Sequence, residues 1–186
     1  MERSLTLIAL FAALIAALGF VPQIALASGV PISAQSMGVM LAGTVLGAKR
    51  GALACLLLIA VVALGMPLLS GGRGGLGVFS GPTVGFFIGW PLAAFTAGLI
   101  VERWQVSLKL AAFTGALVGG IFVLYLCGIT GMAIVLGQNW WAAALLSAPF
   151  VPGDLIKVII TTALTTSLGR LRPALLLSRA KSSISH

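Results

Sequence analysis

Six stretches of the chain are almost wholly apolar: Leu5–Val21, Ile32–Ala48, Gly51–Leu69, Pro82–Val101, Leu110–Leu136 and Pro149–Leu168. Each approaches the roughly 20 residues a helix needs to cross about 30 Å of hydrocarbon. The second is short and the fifth is long for one crossing. The runs are continuous instead of alternating residue by residue, which argues against a transmembrane β-barrel. The pattern predicts an all-α integral membrane protein of six transmembrane helices. We expect one domain over residues 1–170 and a short basic tail over residues 171–186.

Composition sharpens this picture. The 186 residues are 60% hydrophobic and only 8% charged, and the mean hydropathy is +1.17. A soluble domain carries about 25% charged residues. The net charge of +8 suggests nucleic acid only if its placement is ignored. With the N-terminus in the cytoplasm, the inner face holds Arg3, Lys49, Arg50, Arg103, Lys109, Arg170, Arg172, Arg179 and Lys181. The outer face holds Arg73, and Lys157 lies within a span. That partition follows the positive-inside rule. It predicts both termini in the cytoplasm and a lipid bilayer, not a nucleic acid, as the surrounding partner. The expected location is a prokaryotic cell membrane, crossed several times.

Leu5–Phe20 followed by Ala25-Leu26-Ala27 has the outline of a signal peptide with an A-x-A site. Glu2 cancels the charge of Arg3, and the apolar run is long for such a leader. We expect the segment to be kept as the first span.

Within the sixth stretch stand an acid and a base, Asp154 and Lys157. Each costs about 2.5–3.5 kcal/mol at mid-bilayer on insertion scales. Three residues apart on a helix, they share a face and partly neutralise each other. Together they offer an acceptor and a donor to a polar ligand. From Asp154 to Arg170 is about 24 Å of helix, which puts the Asp toward the outer side. The outer connections, Pro22–Pro31, Gly65–Pro82 and Gly137–Pro152, are rich in Gly and Pro. Irregular backbone at membrane depth is tolerated where it lines a cavity, so the pocket is expected in the outer half.

Other chemistry is poorly supplied. The one histidine is His186, and Cys55 and Cys127 are remote from each other in separate spans. They read as small packing residues, and no metal or cofactor is expected. No G-x-x-x-x-G-K-[ST] occurs, so ATP-driven transport would need another polypeptide. Gly72-Arg73-Gly74-Gly75-Leu76-Gly77 matches G-x-G-x-x-G, yet no strand precedes it and no βαβ unit holds it. It reads as a flexible loop, or as one packing closely over a ligand with Arg73 at its mouth. Trp140 is either an interfacial anchor or a wall on an apolar ligand face. Gln35 either caps the second helix or donates into the pocket. Ala9, Ala13 and Ala17 form a small-residue row on the first helix, suited to close approach of another helix.

Three motifs carry a resemblance. Val30-Pro31-Ile32-Ser33-Ala34-Gln35 with Leu41-Ala42-Gly43 is similar to the start of the second helix in BioY proteins. Gly65-Met66-Pro67, Gly74-Gly75-Leu76-Gly77 and Gly81-Pro82-Thr83-Val84-Gly85-Phe86 resemble that family's glycine-rich loop and its Pro-Thr-Gly-Gly-Tyr signature. Pro149-Phe150-Val151-Pro152-Gly153-Asp154-Leu155-Ile156-Lys157 resembles its sixth-helix signature and is the most specific of the three. Val84 replaces a glycine, Phe86 replaces the tyrosine, and Leu69 stands where an aromatic is common. BioY proteins are the biotin-specific S components of energy-coupling-factor (ECF) transporters. The resemblance implies an S-component-like fold and an outward-facing biotin pocket bordered by Gly75, Thr83 and Phe86. It also implies a transmembrane coupling subunit and two ABC-type ATPases as partners, with docking through the first helix.

Biotin suits these residues. Asp154 accepts from a ureido N–H and Lys157 donates to the ureido oxygen. The valerate carboxylate lies too far away for the same helix turn, so Arg73 or loop N–H groups are expected to meet it. Two alternatives stay open at this stage: the same architecture for another vitamin, and a small intramembrane enzyme using Asp154 and Lys157. The second has few acid–base groups to work with.

Overall fold

The computed structural model describes residues 2–22 and 33–179. The expected cleavage motif at Ala25–Ala27, most of the first outer connection, Val30–Ile32 of the first motif, Lys181 and His186 lie outside the described residues.

Among the described residues, six long helices form the bundle. They are α1 (Glu2–Leu18), α2 (Gln35–Leu46), α3 (Ala48–Ala63), α4 (Val84–Arg103), α5 (Leu108–Leu136) and α6 (Trp140–Leu171). By length and composition, α4, α5 and α6 are each sufficient to cross a membrane. The 29-residue α5 contains a π-helical turn at Val118–Val123, around Gly119 and Gly120. The 12-residue α2 spans only about 18 Å. It therefore begins inside the bundle, and its first residues face the cavity described below.

Large apolar side chains point away from the bundle on every side, among them Leu10, Leu53, Ile88, Phe122 and Ile159. Acyl chains, not water, solvate such a surface. Small residues recur in the interior: Ala42, Ala54, Ala94, Ala97, Ala111, Ala112 and Ala116 are fully buried beside larger ones such as Ile15, Met40 and Leu58. Where only small residues face each other, the helices approach to backbone contact. A Cβ on Gly85 of α4 would stand 2.9 Å from the Cα of Gly131 on α5, so neither position tolerates a side chain. Thr44 and Thr165 bridge α2 and α6 through hydroxyls 2.8 Å apart.

Two expected boundaries shift. The third stretch was expected to stay helical to Leu69, but α3 stops at Ala63. Gly65 (φ 106°) and Pro67 turn the chain inward, and Leu69 is buried. The expected irregular connection over Gly137–Pro152 is mostly helix. Asn139 Oδ1 accepts from Ala142 N at 2.8 Å and starts α6 early. A 3-10 turn at Ala148–Phe150 then divides α6 into arms Trp140–Ser147 and Val151–Leu171. Pro149 and Pro152 fall at the starts of the turn and of the second arm, where a missing N–H costs least.

One end of the bundle is tied by hydrogen bonds. Gly47 (φ 88°) joins α2 to α3, and Glu102 Oε1 accepts from Ala48 N at 3.0 Å. The segment after α6 folds back under this end. Ser178 N donates to Val45 O at 3.0 Å and Ser178 Oγ to Thr44 O at 2.7 Å. Arg179 donates to Trp104 O at 3.0 Å and Val106 O at 3.2 Å, and Arg3 donates to Ala174 O. These bonds gather Arg3, Lys49, Arg50, Arg103, Lys109, Arg170, Arg172 and Arg179 at the same end. The loop between α3 and α4 closes the opposite end. Ala9, Ala13 and Ala17 all lie exposed on the outer face of α1, while Leu7, Phe11 and Ile15 pack inward.

Candidate functional site

A cavity opens beneath the loop joining α3 and α4. Leu69, Phe86, Phe87, Trp90, Leu124 and Phe150 give it apolar walls. Its polar groups are Ser33, Gln35, Ser36, Ser70, Arg73, Thr83, Asp154 and Lys157. Phe86 is held edge-on to Phe150 and to Tyr125, each ring 6.0 Å away.

Asp154 and Lys157 form the only ion pair among the described residues, with Nζ 2.7 Å from Oδ1. Asp154 stands in the first turn of the second arm of α6, and Lys157 lies about one turn further along the same face. Ser36 of α2 completes one side: Lys157 Nζ donates to Ser36 Oγ at 3.0 Å, and Ser36 Oγ donates to Asp154 Oδ1 at 3.3 Å. Tyr125 of α5 holds the other side, its hydroxyl donating to Asp154 Oδ2 at 2.7 Å. Three helices thus fix one carboxylate.

The loop supplies the second polar region. Gly71 (φ 79°) and Gly72 (φ 69°) make a tight turn, in which Leu69 N donates to Arg73 O at 3.0 Å. Arg73 Nε donates to Ser70 O at 3.1 Å and Nη1 to Thr83 Oγ1 at 3.2 Å. Partial burial lowers the Arg73 guanidinium from its ordinary value, and it remains a cation at neutral pH. Its charge meets no carboxylate among the described residues. Ser70 Oγ is buried and has no hydrogen-bond partner there.

Of the residues expected at the site, Asp154, Lys157, Gln35, Arg73, Thr83 and Phe86 line this cavity. Gln35 does so as a brace. Its Nε2 donates to Ile15 O and Leu68 O, both at 3.1 Å, and its Oε1 accepts from Ser70 N at 2.9 Å. Both amide protons are committed, so the donor expected to face the pocket serves α1 and the loop instead. Gly75 and Trp140 are not brought to the cavity. Gly75 N donates to Val62 O at 2.8 Å, closing the loop onto the end of α3. Trp140 stacks edge-on against Trp141 at 5.2 Å on the exposed start of α6, the setting of an interfacial anchor. The polar residues here that the sequence does not single out are Ser36, Ser70 and Tyr125; the apolar walls Phe87, Trp90 and Leu124 are likewise unmarked. A hydroxyl in an apolar helix or a Gly-rich loop carries no local signal of its partner.

The model of the BioY family matches residues 2–174. The chain belongs to the BioY family. Among similar proteins, the biotin transporter BioY of Rhodobacter capsulatus is 56% identical over 96% of this chain and 100% of its own length. The biotin transporter BioY of Rhizobium etli is 50% identical over 87% of this chain and 90% of its own. The crystal structure of an S-component for biotin from an ECF-type ABC transporter superposes with a TM-score of 0.86 at 29% identity. That match covers 91% of this chain and 92% of the other. This member of the BioY family is a membrane-embedded helical bundle of the S-component type.

Proposed function

We propose that this protein captures biotin at the outer face of a prokaryotic cell membrane, as the S component of an ECF-type uptake transporter. The observation that carries this reading is the cavity itself. One polar cluster surrounds Asp154 and Lys157, and a separate guanidinium, Arg73, has no carboxylate partner among the described residues; aromatic and aliphatic walls lie with them. Two relatives at least 50% identical to the chain are biotin transporters.

Biotin has a matching distribution of groups. Its ureido ring carries two N–H donors and one carbonyl, its thiophane is apolar, and its valerate ends in a carboxylate. Asp154 accepts from a ureido N–H and Lys157 donates to the ureido oxygen. The carboxylate goes to Arg73, which neutralises it. Buried polar groups of this kind discriminate strongly, because an analogue that lacks the group leaves them unpaired.

The basic end of the bundle is taken to face the cytoplasm, following the positive-inside rule, so that the cavity faces outward. The chain has no phosphate-binding loop, so energy comes from a transmembrane coupling subunit and two ABC-type ATPases. The exposed Ala9/Ala13/Ala17 row supports α1 as the surface that meets the coupling subunit. A small-residue row lets a partner helix approach without a side-chain clash.

Titration of the purified protein with biotin, thiamine and riboflavin tests the substrate. Tight binding of biotin alone is expected. Equal, weak binding of all three would overturn the assignment.

A further inference from the structure

Hydrogen-bond capacity around Asp154 sets what the cluster has left to give a ligand. A carboxylate accepts about four hydrogen bonds and an ammonium donates three. Asp154 Oδ1 already accepts from Lys157 and Ser36, and Oδ2 from Tyr125. Lys157 has spent one proton on Asp154 and one on Ser36. Among the described residues, the Asp154–Lys157 pair keeps one acceptor site on Oδ2 and one N–H on Lys157.

Tyr125 is the chain's single tyrosine. Its residue is 9% exposed, and its ring is fixed edge-on against Phe86. It does not line the cavity, so its hydroxyl reaches Asp154 from behind. With Oδ1 held by α2 and α6 and Oδ2 by α5, the carboxylate cannot turn about χ2 to present both oxygens together.

We infer that the Tyr125 hydroxyl is a positioning residue that sets ligand specificity. It restricts the Asp154–Lys157 pair to one acceptor beside one donor, the complement of an H–N–C=O edge of a cyclic urea. This rests on the biotin reading and deepens it. A guanidinium in place of the urea offers donors along the whole edge. It meets the Lys157 N–H head-on and needs the forked, two-oxygen carboxylate face that Tyr125 withholds.

The test uses purified full-length protein with biotin and with 2-iminobiotin, the guanidino analogue that is cationic at neutral pH. The parent is expected to bind biotin at least ~100-fold more tightly, a ratio of the size that buried unpaired donors produce. Tyr125→Phe keeps the ring and removes the hydroxyl. It is expected to weaken biotin about tenfold, the scale of one hydrogen bond to a charged group, while 2-iminobiotin holds or gains affinity. The selectivity ratio therefore falls. Equal weakening of both ligands would make the hydroxyl merely structural and overturn the inference, as would no change in either. A parent that binds both ligands equally would overturn it without any variant. A parent that binds no biotin at all would instead overturn the substrate assignment.

Discussion

Ser70 shows how a single side chain can mark a ligand position. Its backbone N–H is pinned by Gln35 and its carbonyl by Arg73, yet its buried hydroxyl has no partner among the described residues. An unsatisfied buried hydroxyl costs about 1–3 kcal/mol. In the proposed binding mode, where Arg73 meets the biotin carboxylate, that carboxylate is the expected partner of Ser70 as well, since Arg73 grips the same residue. Ser70→Ala is expected to weaken biotin about tenfold and biotin methyl ester, whose neutral carbonyl is the weaker acceptor, by less, as read by competition binding. Equal losses for acid and ester would move Ser70 to the ring end of the ligand. At this scale the sequence was only partly legible. Asp154 and Lys157 announce themselves because ionisable groups are expensive in an apolar run. Tyr125 and Ser36 do not, since a hydroxyl is cheap there and its partner is 29 residues away in one case and 118 in the other.

The helices were legible as elements because their composition is set by lipid, which demands long apolar runs. Their ends were less so, because caps and turns decide them. Gly65 and Pro67 end α3 before the apolar run does, and Asn139 starts α6 inside what composition marks as a loop. The brevity of α2 matters most for the site, since it leaves Ser36 on the cavity floor. On α1 the division of faces is plain: Ile8, Phe11 and Ile15 pack inward, while Ala9, Ala13 and Ala17 are exposed. Ala13→Trp is therefore expected to abolish co-purification with a coupling subunit while biotin affinity stays within about twofold, a change too small to reflect a lost contact. Loss of biotin binding as well would mean that the row supports the fold. Retention of co-purification would remove α1 as the docking face.

At the scale of the whole molecule, charge and cavity occupy opposite ends. Among the described residues, Arg3 and the basic residues of the α2–α3 turn, the α4–α5 connection and the segment after α6 meet at one end, and Arg73 and Lys157 stand at the cavity. A reporter fused after His186 is expected to signal only from the cytoplasm. A signal from outside would turn the cavity toward the wrong compartment. The asymmetry was readable from the positions of Lys and Arg. The fold-back of residues 173–179 was not, because it depends on Ser178 and Arg179 finding carbonyls far away in sequence. The proposed function requires biotin to bind in this cavity through Asp154. Titrating the parent and Asp154→Asn side by side tests it most directly. The parent is expected to bind one biotin per chain tightly. The variant, with its charged acceptor gone and Lys157 left unpaired, is expected to lose about 2–5 kcal/mol of binding free energy while remaining folded. Equal affinity of the two folded proteins for biotin would remove Asp154 from the binding site.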